Sequence, residues 1–266
     1  MPTVDLDGIS LHYLDEGAGE PVVLVHGFPL SAELWKPQRA ALSAGFRVIT
    51  PDLRGHGRSD PPHGAASVGM YADDIVAILD ELGVGQATVV GLSMGGYVVM
   101  ALLGRHPERV RGVMLMATKA PGDTDAGKQG RNEMIRLAEE EGAAAVAEKL
   151  LPKMLTARTR AENADLVEFI RTMMVGTPVE GIVGALHALR DRPDSTETLT
   201  ALQIPALVLA GGSDELIPPV EAERMHAAIS GSQLEIVPDA AHLLNLEQPE
   251  AVNAAMMEFL QRTTGA

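Results

Sequence analysis

Short, continuous runs of apolar residues recur along this chain, and segments with helical spacing separate them. The runs are PVVLVHG, FRVITPD, ATVVGLS, VRGVMLMA, PALVLAGG and LEIVPDA. Strands that are apolar throughout, rather than at alternate positions, are typical of a sheet buried on both faces, and the intervening helices supply the crossovers of parallel pairing. The pattern therefore predicts an α/β fold with a doubly wound, mostly parallel sheet. The helices are predicted near 32–44, 67–82, 94–106, 218–230 and 248–262.

The N-terminus has a different pattern. Two strand-like runs, 4–6 and 9–14, flank the dipeptide Asp7-Gly8. This dipeptide easily adopts the positive φ angles of a tight turn, so we expect a β-hairpin before the parallel strands begin.

The rhythm of strand and helix breaks between about Lys119 and Thr196. This region has no strand-like run but four helix-like pieces, near 127–141, 142–152, 159–174 and 178–190. A helical insertion between two strands is typical of a cap over one end of a sheet. We therefore predict an α/β core formed by 1–118 and 197–266, with an all-helical cap at 119–196.

Apolar residues of the cap and of the neighbouring loops are candidates for a substrate pocket. Pockets are largely apolar and form where structural layers meet. The predicted lining residues are Pro29, Leu30, Met134, Leu155, Met173, Ile182 and Leu243.

Composition excludes several classes of function. Acidic residues outnumber basic ones by 36 to 21, a net charge of −15, so nucleic acid and anionic membrane surfaces are disfavoured as partners. The 46% hydrophobic content indicates a globular chain, and no cysteine is available for disulfides, thiolate metal sites or a nucleophile. The first residues lack the pattern of a secretion signal, so we expect a cytoplasmic protein. The sequence does not decide whether the chain forms a homo-oligomer.

The segment GLSMG at 91–95 matches the nucleophile elbow, in which a serine lies on a tight turn between a strand and a helix. An apolar β run leads into it and an apolar helical run follows. Glycines are needed on both sides of Ser93 because side chains there would collide with neighbouring backbone. Ser93 is the candidate nucleophile.

A serine hydroxyl needs a base, and the base needs an orienting acid. Of the eight histidines, His242 follows the last strand-like run, at the strand end where ligands bind in open α/β sheets. Asp214 lies just past the preceding strand and fits the chain order Ser, acid, His, so we favour it as the acid. Glu215 and Asp239 remain alternatives, although Asp239 follows a proline and is typical of a turn.

An acyl-transfer site also needs hydrogen-bond donors for the oxyanion. The backbone N–H of Met94, directly after the nucleophile, is one predicted donor, and the N–H of Phe28, in the loop after an early strand, is the other. Pro29 has no N–H and stiffens this loop. We expect His26 to hold the loop by hydrogen bonding, and the segment at 51–60 to buttress it.

Together these motifs resemble the α/β-hydrolase family. HGFP at 26–29, DLRGHGRS at 52–59, GLSMGG at 91–96, GGSDELIP at 211–218 and the late His242 occur in the family's order and cover the chain from end to end. The resemblance implies a triad of Ser93, Asp214 and His242, and a helical cap inserted after the sixth strand. Dehalogenases and epoxide hydrolases of this family use an aspartate nucleophile, so Ser93 argues against both.

The function implied is a serine hydrolase that cleaves carboxylic esters without a cofactor or a metal. The aliphatic, Met-rich cap favours small to medium, uncharged acyl or aryl esters or lactones as small-molecule substrates. HGFP also resembles the cofactor-free perhydrolases, or non-haem haloperoxidases, in which the proline helps to accept a peracid. A non-catalytic receptor on the same scaffold is the alternative from another class. The sequence does not distinguish esterase from lactonase or perhydrolase, nor does it give acyl preference or stereoselectivity.

Overall fold

A computed structural model describes residues 2–6 and 8–264. It contains an eight-stranded sheet with the order β1-β2-β4-β3-β5-β6-β7-β8. The strands are β1 Thr3–Leu6, β2 Ile9–Glu16, β3 Pro21–Val25, β4 Arg47–Pro51, β5 Ala87–Leu92, β6 Val110–Met116, β7 Ala206–Gly211 and β8 Gln233–Val237. Strands β1 and β2 pair in an antiparallel hairpin, β2 pairs antiparallel with β4, and the remaining pairs are parallel. The predicted, mostly parallel sheet is confirmed; Asp7, predicted in the hairpin turn, lies outside the described residues.

Helices pack against both faces of the sheet. They are α1 Lys36–Leu42, α2 Val68–Glu81, α3 Met94–Arg105, α4 Asp125–Met154, α5 Ala157–Glu162, α6 Ala164–Val175, α7 Val179–Asp191, α8 Thr196–Thr200, α9 Pro219–Ala228, α10 Leu244–Glu247 and α11 Pro249–Thr264. Successive strand residues point to opposite faces, as β3 illustrates. Val23 and Val25 belong to the core under α2 and α3, whereas Val22 and Leu24 belong to the core under α1 and α11. Full burial of each such side chain contributes roughly 1.5–3 kcal/mol relative to exposure.

Five helices, α4 to α8, lie between β6 and β7 along the chain, and four of them, α4 to α7, lie within the predicted cap region at 119–196. Within α4 the helix is broken at Gly142, whose φ of 81° and ψ of −178° are not helical. The predicted boundary between two helical pieces at 141 and 142 coincides with this break. The division into a core and a cap at 119 and 196 stays a prediction.

Within the described residues no single helix is both long and apolar enough to cross a bilayer. Helices α6 and α7 meet that test of length and composition only as a pair, and they are bent by 90° relative to each other.

Candidate active site

Ser93 lies between the last residue of β5 and the first residue of α3, with a φ of 54°. This left-handed conformation is unfavourable for a side chain larger than glycine. The two neighbouring glycines make the turn possible, because a Cβ on Gly91 would lie 2.3 Å from the Gly95 carbonyl oxygen. A Cβ on Gly95 would lie 2.2 Å from the carbonyl oxygen of Val25 in β3. The elbow therefore packs so tightly against the sheet that only glycine fits at both positions.

Hydrogen bonds on both sides hold the strained serine. Its N–H donates to the Met116 carbonyl at the end of β6 over 2.9 Å, and its carbonyl accepts the Thr118 hydroxyl over 3.0 Å. A Cβ on Gly96 would lie 2.6 Å from the same threonine side chain, so the first turn of α3 sits directly against this residue. A conformation of this kind costs on the order of 1–3 kcal/mol and persists only where the surroundings fix it, as they do here.

His242 and Asp214 come from the loops after β8 and β7. The His242 Nδ1 lies 2.8 Å from the Asp214 Oδ2. The other oxygen, Oδ1, accepts the N–H groups of Leu216 and Ile217 at 2.8 and 3.0 Å. Both side chains are buried, and a carboxylate fixed in this way holds the proton on Nδ1 and leaves Nε2 as the basic nitrogen.

The two other carboxylates considered for the acid lie elsewhere. Glu215 and Asp239 are both exposed, and Asp239 has the positive φ of a turn residue, 54°. Of the three candidates, Asp214 is the one that contacts His242.

Ser93 and His242 line the same cavity, of about 100 Å³. Its other lining residues are Phe28, Tyr97, Arg131, Leu150, Met154, Leu189, Leu216 and Ile217. The two predicted oxyanion donors lie next to it: Phe28 lines the cavity, and Met94 directly follows Ser93. Within the described chain, neither of their backbone N–H groups donates a hydrogen bond. Neither N–H is therefore committed to another group of the described chain.

None of the seven residues predicted to form the pocket lines this cavity. Five of them are buried and two, Met134 and Met173, are partly buried against the core; in chain order the seven are Pro29, Leu30, Met134, Leu155, Met173, Ile182 and Leu243. That prediction is corrected, because apolar character selects for burial and does not distinguish a core position from a cavity wall. The positions of residues relative to Ser93 and Asp214 in the sequence indicate the cavity wall better than apolar character does. Tyr97 lies one helical turn after Ser93, and Leu216 and Ile217 closely follow Asp214.

The loop carrying Phe28 is fixed from beneath by His26. Its Nδ1 donates to the Gly27 carbonyl over 2.9 Å, and its Nε2 accepts the Leu53 N–H over 3.0 Å. Burial lowers the pKa of His26 to about 4, so the ring is neutral and can accept at Nε2. The Asp52 carboxylate adds a second support, accepting the N–H of Ala32 over 2.7 Å. His26 and the 51–60 segment therefore hold the loop, as the sequence predicted.

A metal ion needs a cluster of ligating side chains. Among the described residues there is no group of three or more His, Cys, Asp or Glu side chains arranged to hold a metal ion.

Comparison with known proteins agrees with this geometry. The family described as the alpha/beta hydrolase fold matches residues 20–249. The structure of a thermophilic esterase from Thermogutta terrifontis, solved with malate bound, is 40% identical, with a TM-score of 0.94 over 98% of this chain and 97% of the esterase. The enol-lactonase from Burkholderia xenovorans LB400 is 31% identical, with a TM-score of 0.91 over 98% of this chain and 100% of the lactonase. A non-heme chloroperoxidase from Kitasatospora aureofaciens is 29% identical over 96% of this chain and 98% of its own.

Proposed function

Because this chain belongs to the α/β-hydrolase family, we propose that it is a serine hydrolase that cleaves carboxylic esters through an acyl-enzyme. One observation carries the proposal. Ser93 shares a cavity with His242, whose Nδ1 lies 2.8 Å from the buried carboxylate of Asp214. Nucleophile, base and orienting acid are the three groups that such a reaction needs.

In the acylation step, His242 Nε2 takes the proton of the Ser93 hydroxyl as Oγ attacks the ester carbonyl carbon. The N–H groups of Phe28 and Met94 donate to the oxyanion of the tetrahedral intermediate. His242 then gives its proton to the leaving alcohol as the carbon–oxygen bond breaks. Asp214 stabilises the imidazolium that exists between these two transfers.

Deacylation repeats the sequence with water. His242 removes a proton from the water molecule as its oxygen attacks the acyl carbon, and returns the proton to Ser93 Oγ as that bond breaks. The net reaction is ester plus water to carboxylic acid plus alcohol.

The size of the cavity supports a small acyl group. Its volume of about 100 Å³ is well below the roughly 300–1,000 Å³ of pockets for drug-sized ligands. The similar esterase from Thermogutta terrifontis is solved with malate, which is a small carboxylic acid. The name of the enol-lactonase relative indicates a lactone substrate, and a lactone is a cyclic ester.

Peracid formation is the second candidate, favoured by the non-heme chloroperoxidase among the relatives. We rank it below ester hydrolysis because of the surroundings of Pro29. This residue is not among those that line the cavity, and its carbonyl oxygen already accepts the Thr177 hydroxyl over 3.0 Å. Bromination of monochlorodimedone in acetate and hydrogen peroxide, measured beside ester hydrolysis, separates the two activities.

Ester turnover and active-site labelling test the proposal together. We expect the wild type to hydrolyse 4-nitrophenyl acetate and to be labelled by a fluorophosphonate at Ser93, as located by mass spectrometry. The Ser93→Ala variant should lose the label and at least about 10³-fold in kcat. Absence of both turnover and labelling in a folded wild-type sample would refute the hydrolase. A thermal shift with ester ligands under those conditions would instead indicate a receptor.

A further inference from the structure

Arg131 places a positive charge at the wall of the cavity that contains Ser93 and His242. It lies near the start of α4 and lines the cavity. Its Nε donates to the Asp123 Oδ2 over 2.9 Å, and 30% of its side chain is exposed. Its two terminal nitrogens, Nη1 and Nη2, make no hydrogen bond with the described residues. The end of the guanidinium fork is therefore free to bind a ligand.

The Asp123 carboxylate does not neutralise Arg131 fully, because it also pairs with Arg192. The second oxygen of Asp123 lies 2.8 Å from Nη1 of Arg192, whose side chain is buried and stacks over Tyr97 with its Cζ 4.0 Å from the ring centre. Burial by itself would raise the pKa of Asp123, but the two arginines hold it below its usual value. Two guanidinium groups thus face one carboxylate, which leaves one positive charge in excess.

None of the side chains that line the cavity carries a negative charge, and the buried Asp214 carboxylate lies behind His242, with which it is paired. Apart from Ser93, His242 and Tyr97, the remaining lining residues are apolar, and no acidic side chain is among them. The chain as a whole carries a net charge of −15, so anions are repelled by its general surface. A local excess of positive charge in an apolar cavity is a specific feature of this site. It favours a ligand that brings its own negative charge.

We infer that Arg131 selects a substrate with a free carboxylate near the ester, such as the half-ester of a short dicarboxylic acid. This inference rests on the proposed ester hydrolysis and replaces the expectation of uncharged substrates. The planar fork of arginine matches a carboxylate with two parallel hydrogen bonds. The small cavity requires the carboxylate to lie only a few bonds from the carbonyl that Ser93 attacks. Hydrolysis of such a half-ester by water gives a dicarboxylate, an alcohol and a proton.

Two substrates of matched shape test the inference. Monomethyl succinate carries the carboxylate, and methyl succinamate has a neutral amide in its place; methanol release gives kcat/KM for each. We expect the wild type to prefer the half-ester at least about tenfold, and Arg131→Gln to lower kcat/KM for the half-ester by about 10- to 100-fold, so that the preference disappears. Arg131→Lys keeps the charge without the fork and should fall between the two.

Arg136→Gln is the matched control, because it removes the same charge from the same helix at an exposed position outside the cavity. We expect it to leave both kcat/KM values unchanged. Arg131→Gln leaves Asp123 paired with Arg192, so we expect the variant to fold, and circular dichroism with a thermal melt checks this. Equal losses on both substrates would mean that Arg131 is merely structural and would overturn the inference.

A binding measurement separates this inference from the proposed reaction. Calorimetric titration of Ser93→Ala with monomethyl succinate should show saturable binding that weakens at least about tenfold when Arg131→Gln is added, but not when Arg136→Gln is added. If the protein hydrolyses esters through Ser93 but does not prefer those with a carboxylate, the inference is overturned and the proposed hydrolase activity stands. Arg131-dependent binding without labelling or turnover would support the anion site and refute the hydrolase. Absence of binding would overturn the anion site.

Discussion

At the scale of single residues, the function proposed here depends on which carboxylate orients His242. The buried Asp214 carboxylate accepts two backbone N–H groups with one oxygen and faces His242 Nδ1 with the other. In Asp214→Asn, the amide oxygen can keep the backbone contacts and place its NH₂ opposite Nδ1. The imidazole then carries its proton on Nε2, where it can no longer accept the proton of Ser93.

We therefore expect Asp214→Asn to lower kcat by about 10³- to 10⁴-fold with KM within about threefold of wild type, measured with 4-nitrophenyl acetate. The neighbouring Glu215 is exposed, so Glu215→Gln serves as the control and should be as active as wild type. The reverse pattern, an inactive Glu215→Gln and an active Asp214→Asn, would assign the orienting acid to Glu215.

The sequence locates the candidate triad better than the cavity around it. Ser93 is flanked by Gly91 and Gly95, which are required because neighbouring backbone lies too close for a side chain. Asp214 and His242 each follow a strand that the sequence pattern identifies. The cavity wall depends instead on how α4 and α7 pack over the sheet, and apolar patterning does not encode that packing. Arg131 illustrates this limit. Its charge and the polar residues around it in the sequence indicate an exposed helix surface, but in the structure it lines the cavity.

At the scale of elements, Glu247 connects the inserted helices to the loop that carries His242. Its Oε1 accepts the N–H and the hydroxyl of Thr156, which follows α4, each over 2.8 Å. Its Oε2 accepts the N–H of Ala241 over 2.7 Å, one residue before the histidine. The Leu243 N–H donates to the Met154 carbonyl over 3.1 Å and reinforces the connection. The histidine loop and the end of α4 therefore hold each other in position.

Glu247→Ala removes the acceptor for all three donors. We expect it to lower the free energy of unfolding by about 2 kcal/mol, because hydrogen bonds to a charged group contribute roughly 1.5–3 kcal/mol and the donors would lack partners. We also expect kcat to fall by about tenfold, since small displacements of a catalytic group are costly. Urea denaturation and steady-state kinetics measure the two effects.

Glu258→Ala is the control for this variant. Among the described residues its carboxylate makes only an exposed ion pair with Arg262 on α11, which contributes about 0–1 kcal/mol. A loss of stability in Glu247→Ala with unchanged kcat would show that the connection supports the fold without positioning His242.

At the scale of the whole molecule, the sequence predicts the kind of sheet but not the order of its strands. Continuous apolar runs separated by helices indicate parallel strands covered on both faces, and the structure agrees. The order β2-β4-β3-β5 requires the chain to reverse direction across the sheet after β4, and no local pattern records that reversal. Strand order arises from packing between elements distant in sequence. This order is what places the loop of Phe28, after β3, beside the Ser93 elbow, after β5.

Two neutral histidines are buried where these loops meet. The rings of His26 and His56 lie with their centres 5.1 Å apart. Burial lowers the pKa of His26 to about 4, and burial together with the nearby His26 lowers that of His56 to about 3, despite the opposing effect of Asp52. In the unfolded chain a histidine titrates near 6.5, so between that pH and its folded pKa the unfolded state binds a proton that the folded state excludes.

Stability is complete above about pH 6.5 and falls as the pH is lowered, by about 2 kcal/mol between pH 7 and pH 5 for each of the two histidines. In His56→Asn, the amide can still donate to the Arg54 carbonyl, the partner of the His56 Nδ1, but cannot titrate. We expect its loss between pH 7 and pH 5, measured by urea denaturation, to be about 2 kcal/mol smaller than in wild type, although the smaller side chain lowers its stability at both pH values. Equal losses in the two proteins would mean that His56 titrates normally in the folded chain.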